Sequence, residues 1–265
     1  MRGAEPESAE VDRLPGWVTL LRAPNPGPMT LDGTNTWILR APGGGDATVI
    51  DPGPLDEGHL RRIAEHGSIG RILVTHGHHD HVEGAARLSE LLGGTPVRAG
   101  SPAHCVGGEP LDPREPLDGN GLEIRVLDTP GHTSDSVSFL VECGDDRAMF
   151  TGDTILGRGT TVVARPDGDL GAYLRSLELL SAYPAVLMLP GHGPVRADTA
   201  ERALFYLDHR RERLAQVTAA MAAGADTPAA VVDLVYPDLD PALRFAAEWS
   251  ADAQLEYLRR QQDAP

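Results

Sequence analysis

RILVTHGHHDH, residues 71–81, decides the reading of this chain: an apolar run is followed at once by a segment in which four of the 10 histidines and an aspartate fall within seven positions. A short apolar run bounded by turn-forming residues reads as a buried β-strand. His76 and His78 are two apart, so in extended backbone their side chains point to the same side. Asp80 and His81 follow where the chain turns into the helical pattern VEGAARLSELL. Imidazole and carboxylate together suit zinc, manganese or iron, and a single ion needs only three or four such groups. The surplus in one loop points to two sets of ligands and two ions.

Three later stretches supply further ligands, each at the end of an apolar run: LDTPGHTSDS (127–136) gives His132, MFTGD (149–153) gives Asp153, and LMLPGHGP (187–194) gives His192. A glycine stands beside each, as expected where backbone passes close to a metal and a side chain would intrude. Asp51 in VIDPG (49–53) is a candidate to accept the free N–H of a ligand histidine, which fixes the tautomer and orientation of the ring. His79 is expected to face away from its neighbours. His59, His66 and His104 are expected at the surface, and His209 either on a solvated helix face or reaching the site.

Working outward, WVTLL, TWILR, ATVID, RILVT, EIRVLD, SVSFLVE, RAMFTGD and AVLMLP read as strands. PLDEGHLRRIAEHG, VEGAARLSELLGG and DLGAYLRSLELLSAYP read as helices that end at glycine or before proline. Several strand pairs are joined by loops too short for a crossover, so a mixed sheet with helices on its outer faces is expected. DTAERALFYLDHRRERLAQVTAAM then reads as one long amphipathic helix, with Asp198 as its cap and Leu204, Leu207, Leu214 and Val217 on its buried face. Further helix starts are expected at Thr227–Pro228, Asp240–Pro241 and Ser250. The division expected is a domain over 1–221, with the long helix 199–221 included, and a small helical appendage over 222–265.

Composition narrows the function. At 265 residues the chain buries about three quarters of its unfolded surface, so a metal would serve chemistry rather than folding. Cys105 and Cys143 are the only cysteines, which excludes a thiolate zinc cluster or a disulfide framework and fits a reducing compartment. The acidic, polar amino terminus and the lack of any ~20-residue apolar run predict a soluble, cytoplasmic protein with no membrane partner. The formal charge of −16 repels polyanions as a whole. All 23 cationic side chains are arginine, which removes lysine-based nucleophiles and Schiff bases. Neither GxGxxG nor a P-loop is present, so nothing points to nucleotide binding.

The histidine and aspartate motifs resemble those of the metallo-β-lactamase superfamily: His76, His78, Asp80 and His81 match its first motif, and His132, Asp153 and His192 its later ones. A closer likeness, over roughly residues 17–215, is to the β-lactamase-like protein 2 branch, through NPGPMTLDGTNTWIL (25–39), VIDPGP (49–54), TGDTILGRGTT (151–161) and LPGHGP (189–194). The resemblance implies an α/β fold, a four-layered αβ/βα sandwich, with a winged-helix-like tail, although no paired strands for a wing are evident in this tail. It also implies the partition of ligands: His76, His78 and His132 at one zinc ion, Asp80, His81 and His192 at the other, Asp153 bridging, and Asp80 acting in catalysis; iron or manganese are alternative metals. The reaction so implied is hydrolysis by a metal-bridging hydroxide. The substrate expected is a small ester or acyl thioester. Cleavage of single-stranded RNA is the alternative, and a mononuclear iron persulfide dioxygenase using His76, His132 and Asp153 a further one. Lactam hydrolysis is disfavoured because no lysine is present to anchor the drug carboxylate. The oligomeric state is left open.

Overall fold

Strands whose side chains are apolar on both faces must be covered on both faces. In the computed structural model, which describes residues 13–119 and 121–263, this requirement is met by four layers. The acidic stretch 1–12 lies outside the described residues. The first sheet has the order β1-β2-β3-β4-β5, with β1 Val18–Arg22, β2 Asn35–Leu39, β3 Ala47–Ile50, β4 Ile69–Val74 and β5 Val97–Ala99. The second has the order β10-β9-β8-β7-β6, with β6 Leu117–Gly119, β7 Leu122–Asp128, β8 Val137–Cys143, β9 Asp146–Gly152 and β10 Leu187–Pro190. Each is mixed: β3–β4, β4–β5 and β9–β10 are parallel and the other pairs antiparallel.

Alternation along each strand sorts side chains between two cores. Trp37, Leu39, Ile50 and Leu73 from the first sheet meet Ile124, Phe139, Phe150 and Leu189 from the second in the central layer. Trp37 sets its ring edge-on to Phe150, with centroids 5.9 Å apart, and its Nε1–H donates to Pro190 O at 3.2 Å. The intervening residues point outward. Ile38, Val49, Ile72 and Val74 pack on α1 (Glu57–Ala64) and α3 (Ala85–Leu91), while Leu140, Met149 and Met188 pack on α4 (Leu170–Leu180) and α5 (Thr199–Ala222). The strand patterns alone suggested one mixed sheet. The chain instead makes two, because the β5–β6 connection carries it from the edge of one sheet to the edge of the other, and these three-residue strands are too short to show a period.

The long helix forms as its pattern requires, with Asp198 accepting the Glu201 N–H at its start. Of the face expected, Leu207 and Val217 are buried and Leu214 part-buried, but Leu204 is 50% exposed, and Arg202, Tyr206 and Arg210 are buried in its stead. The reason lies in what the helix covers. Arg202 donates to the carbonyls of Leu156 and Gly159, Arg210 to that of Thr161, and Arg196 to that of Gly157 at 2.5 Å, so three guanidinium groups meet the backbone of 156–161.

After α5 the described residues form only helical elements, α2 having appeared earlier at His79–Val82: α6 is Pro228–Val235, a 3₁₀ turn covers Pro241–Leu243, and α7 is Arg244–Asp263. Ser250 therefore lies inside α7 and starts no helix. Val217 and Ala220 of α5 pack with Val231, Val232, Ala251 and Leu255, so this tail builds its core on the last turns of α5. Among the described residues no helix is long and apolar enough to cross a membrane.

Candidate metal centre

The strands deliver the site at one edge of the sandwich. β4 ends at Val74 and releases Thr75–Gly77 as loop; His78 keeps extended backbone (φ −68°, ψ 141°) and precedes α2, whose single turn places Asp80 and His81. His132 follows β7, Asp153 follows β9, and His192 follows β10. The seven side chains converge in two groups. Ligand atoms of His76, His78, His132 and Asp153 lie within 4.8 Å of one another, as do those of Asp80, His81 and His192. Asp153 touches both: Oδ1 is 3.5 Å from His81 Nε2, and Oδ2 is 3.3 Å from His192 Nε2 and 3.9 Å from His132 Nε2.

Four of the five imidazoles are held by the nitrogen that faces away from the cluster. His76 Nδ1 meets the Thr75 hydroxyl at 3.0 Å, and that hydroxyl donates to Asp51 Oδ2 at 2.8 Å. His81 Nδ1–H donates to Asp51 Oδ2 at 2.8 Å, His132 Nδ1–H to Val162 O at 2.8 Å, and His192 Nδ1–H to Gly33 O at 3.2 Å. With Nδ1 so engaged, His76 and His132 turn an Nε2 lone pair inward, as His81 and His192 do once their Nε2 proton is lost. His78 presents Nδ1 instead, 3.1 Å from His76 Nε2 and 3.0 Å from His132 Nε2. His81 Nε2 and His192 Nε2 are 3.2 Å apart. Nitrogens crowded in this way repel unless a proton or a metal cation is shared among them, and Asp153 Oδ1 is buried with no hydrogen-bond partner among the described residues. The donor set therefore fits divalent metal: nitrogen and carboxylate oxygen, few protons, ring orientations fixed from behind.

Charge follows the same division. Burial pushes His76 well below the usual imidazole pKa and His132 down to about 4, leaving both neutral. Burial also opposes a charge on His81 and His192, but carboxylates prevail: Asp80, Asp153 and Asp51 hold His81 well above its ordinary value, and Asp153 and Asp80 raise His192 to about 9. Asp80 is itself held below the usual carboxylate range, burial being outweighed by His81 and His192.

Close backbone approach is visible at Gly191, where a Cβ would meet Asp153 Oδ1 and, at 2.7 Å, His81 Cε1. Gly152 sits at φ 49° with Thr75 packed against it. Asp51 also has positive φ, 53°, a conformation aspartate tolerates better than most residues.

The remaining histidines separate. His79 is exposed on α2, and His66 is exposed. His104 is part-exposed; it stands over Gly77, with Nε2 3.7 Å from Asp135 Oδ2. His59 departs from the expectation of a surface position: it is 1% exposed, because α1 turns His59, Leu60 and Ile63 onto one buried face, and its Nε2 lies 2.9 Å from Thr36 Oγ1. His209 stacks on Phe205 and lies 3.4 Å from Arg213 Nε, contacts within α5 rather than with the seven. Sequence reasoning did not find Thr34, Thr75 or the carbonyls of Gly33 and Val162. Position-specific signals for them are weak, since a threonine at the end of a strand is ordinary and a carbonyl has no residue identity.

The family model of the metallo-beta-lactamase superfamily matches residues 29–192. The chain belongs to this superfamily. An atrochrysone carboxyl ACP thioesterase of Aspergillus fumigatus is 32% identical over 97% of this chain and 86% of the relative. A beta-lactamase-like protein 2 homolog of Caenorhabditis elegans is also 32% identical, over 89% of this chain and 82% of its own length. In fold, the chain matches the crystal structure of a beta-lactamase domain protein from Burkholderia ambifaria with a TM-score of 0.76 at 24% identity, covering 99% of this chain and 91% of that one. The four-layered metallo-beta-lactamase architecture expected from the motifs is the one observed. A metallo-beta-lactamase fold implies a divalent metal, and the two groups above are the candidate ligands.

Proposed function

We propose that the chain is a metal-dependent hydrolase of small esters or acyl thioesters. His76, His78 and His132 would hold one divalent ion and Asp80, His81 and His192 a second, with Asp153 between them and zinc as the expected metal. The observation that carries this reading is that two ligand groups converge around one shared carboxylate. When bound, such ions lower the pKa of water from ~15.7 towards 7 and polarise a scissile carbonyl.

The chain's own residues supply the rest. Asp51, Thr75, Gly33 and Val162 fix four rings with Nε2 turned to the cluster, where a bound ion would displace the protons that His81 and His192 otherwise carry. Asp80, with 26% of its side chain exposed, stands at the open rim of the cluster, where its ionised carboxylate would orient an attacking water.

An acyl substrate is favoured over RNA by how the neighbouring arginines are engaged. Arg196, Arg202 and Arg210 donate to carbonyls of 156–161, Arg158 forms a two-point ion pair with Asp32, and Arg165 pairs with Asp252 and Glu256. Cations so paired are poor anchors for a phosphate backbone. The thioesterase name of the Aspergillus fumigatus relative agrees with this choice.

Elemental analysis of protein purified without added metal, followed by assay against acyl thioesters, esters and short single-stranded RNAs, tests the proposal. Two zinc ions per chain and thioester turnover lost in Asp80→Ala are expected. Iron at one ion per chain with oxygen uptake on a persulfide, or RNA cleavage without acyl hydrolysis, would replace it; Asp80→Ala retaining both metal and full turnover would remove the role given to Asp80.

A further inference from the structure

We infer that Asn25 and Thr34 form a positioning relay that holds the Asp80 carboxylate against the second ligand group. The inference rests on the reading of Asp80 as a metal ligand. Thr34 is fully buried, and its Oγ1 lies 3.0 Å from Asp80 Oδ2 and 3.0 Å from Asn25 Nδ2. Donors and acceptors along this line follow from one backbone group. Thr34 N–H donates to Asn25 Oδ1 at 2.9 Å, so the amide must present its oxygen to that N–H and its NH₂ to the hydroxyl. The hydroxyl accepts from Asn25, and its single proton is left for Asp80 Oδ2.

That oxygen is the one facing the ligand group, 3.1 Å from His192 Nε2 and 3.4 Å from His81 Nε2. Thr34 cannot drift, because its backbone is locked to the same place: residues 34 and 192 form an antiparallel bridge, Asn35 N–H donates to Gly191 O at 2.8 Å, and Gly33 O accepts from His192 Nδ1. One short segment, 33–34, thus orients His192 through a carbonyl and Asp80 through a hydroxyl, while Asp51 orients His81. Without the Thr34 proton, a half-exposed aspartate on a single-turn helix has other rotamers open to it.

The test is zinc affinity, measured by competition with a chromophoric chelator, on wild type and four variants. Thr34→Val removes the hydroxyl at nearly constant shape; Thr34→Ser keeps it. Asn25→Asp is close to isosteric but replaces the NH₂ donor by an acceptor, so the Thr34 proton turns to residue 25 and away from Asp80. Expected is a loss of about 10- to 100-fold in affinity for one of two zinc ions in Thr34→Val and in Asn25→Asp, the other ion being unaffected, with Thr34→Ser near wild type. Should Thr34→Val fail to fold, Asn25→Asp and Asn25→Ala decide the matter, since Asn25 is only part-buried. Both zinc ions bound as in wild type by Thr34→Val, or by the Asn25 variants where it does not fold, would overturn the relay. Wild type binding fewer than two zinc ions would fail the site reading first, and the relay with it.

Discussion

Asp51 Oδ2 lies 2.8 Å from His81 Nδ1, and the same carboxylate accepts the Thr75 backbone N–H and hydroxyl, each at 2.8 Å. One aspartate therefore fixes a ring in each ligand group, His81 directly and His76 through Thr75. Asp51→Asn keeps the side-chain shape and tolerates φ 53°, yet sets an NH₂ group against a donor. Zinc affinity is expected to fall about 10- to 100-fold at both positions, which distinguishes this variant from the Thr34 and Asn25 changes; isothermal titration with zinc reads it.

Gly191 allows backbone to run beside the cluster. Gly191→Ala places a methyl group against Asp153 Oδ1 and His81 Cε1, both buried and both members of the site. The expected outcome is a folded protein with native far-UV circular dichroism that no longer retains two metal ions after gel filtration. Full metal retention would show that the cluster has more slack than its packing implies.

Why the centre was legible and its supports were not follows from chemistry. A ligand must be one of few residue types, and it must follow a strand closely enough to reach a sheet edge; His76, His78, Asp80, His81, His132, Asp153 and His192 satisfy both conditions, and the fold brings them together. Asp51 was readable for the same reason. Thr34 acts through what lies across the fold from it, which no local pattern encodes, whereas His59 shares a helix face with Leu60 and Ile63 that its polarity concealed. Arg202 and Arg210 were hidden more deeply: helical periodicity assigns arginine to water, and only the inward-facing carbonyls of 156–161 make burial of a guanidinium favourable. Of the four apolar positions expected on the buried face of α5, Leu204 alone is turned outward. Two sheets rather than one escaped the strand patterns because alternation reports that both faces are covered, without saying by what.

Those arginines make a stability prediction. Arg202→Met keeps the apolar stem of a fully buried side chain but leaves the Leu156 and Gly159 carbonyls short of a donor. A buried acceptor stripped of its partner costs about 1–3 kcal/mol. Urea denaturation of the metal-free protein should show a loss of that order, whereas Leu204→Gln on the exposed face should leave the midpoint nearly unchanged.

His59 makes stability depend on pH. Burial, with Arg62 nearby, lowers its pKa from 6.5 to about 4, so the unfolded chain takes up the proton first as pH falls. The contribution is fully present above pH 6.5 and is lost as pH falls through 4, a difference of about 3 kcal/mol at 1.36 kcal/mol per unit. His59→Gln retains an N–H for Thr36 and cannot titrate. Between pH 7 and pH 4 the variant should therefore lose less stability than wild type by roughly that amount, measured by chemical denaturation at each pH; parallel profiles would show that His59 titrates normally.

Salt separates the two substrate classes without knowledge of either substrate. A protein that neutralises six to ten phosphates loses about 10³- to 10⁵-fold in affinity between 50 and 200 mM salt, because counterions released on binding must compete with those added. The arginines around 156–161 are bonded to carbonyls and carboxylates, and the chain carries a formal charge of −16, so no comparable release is expected here. With a neutral acyl thioester, kcat/KM should stay within about twofold across that range. A steep fall in turnover of single-stranded RNA, at rates exceeding those on the thioester, would instead mean that the arginine pairs open to admit phosphate, and the acyl assignment would be lost.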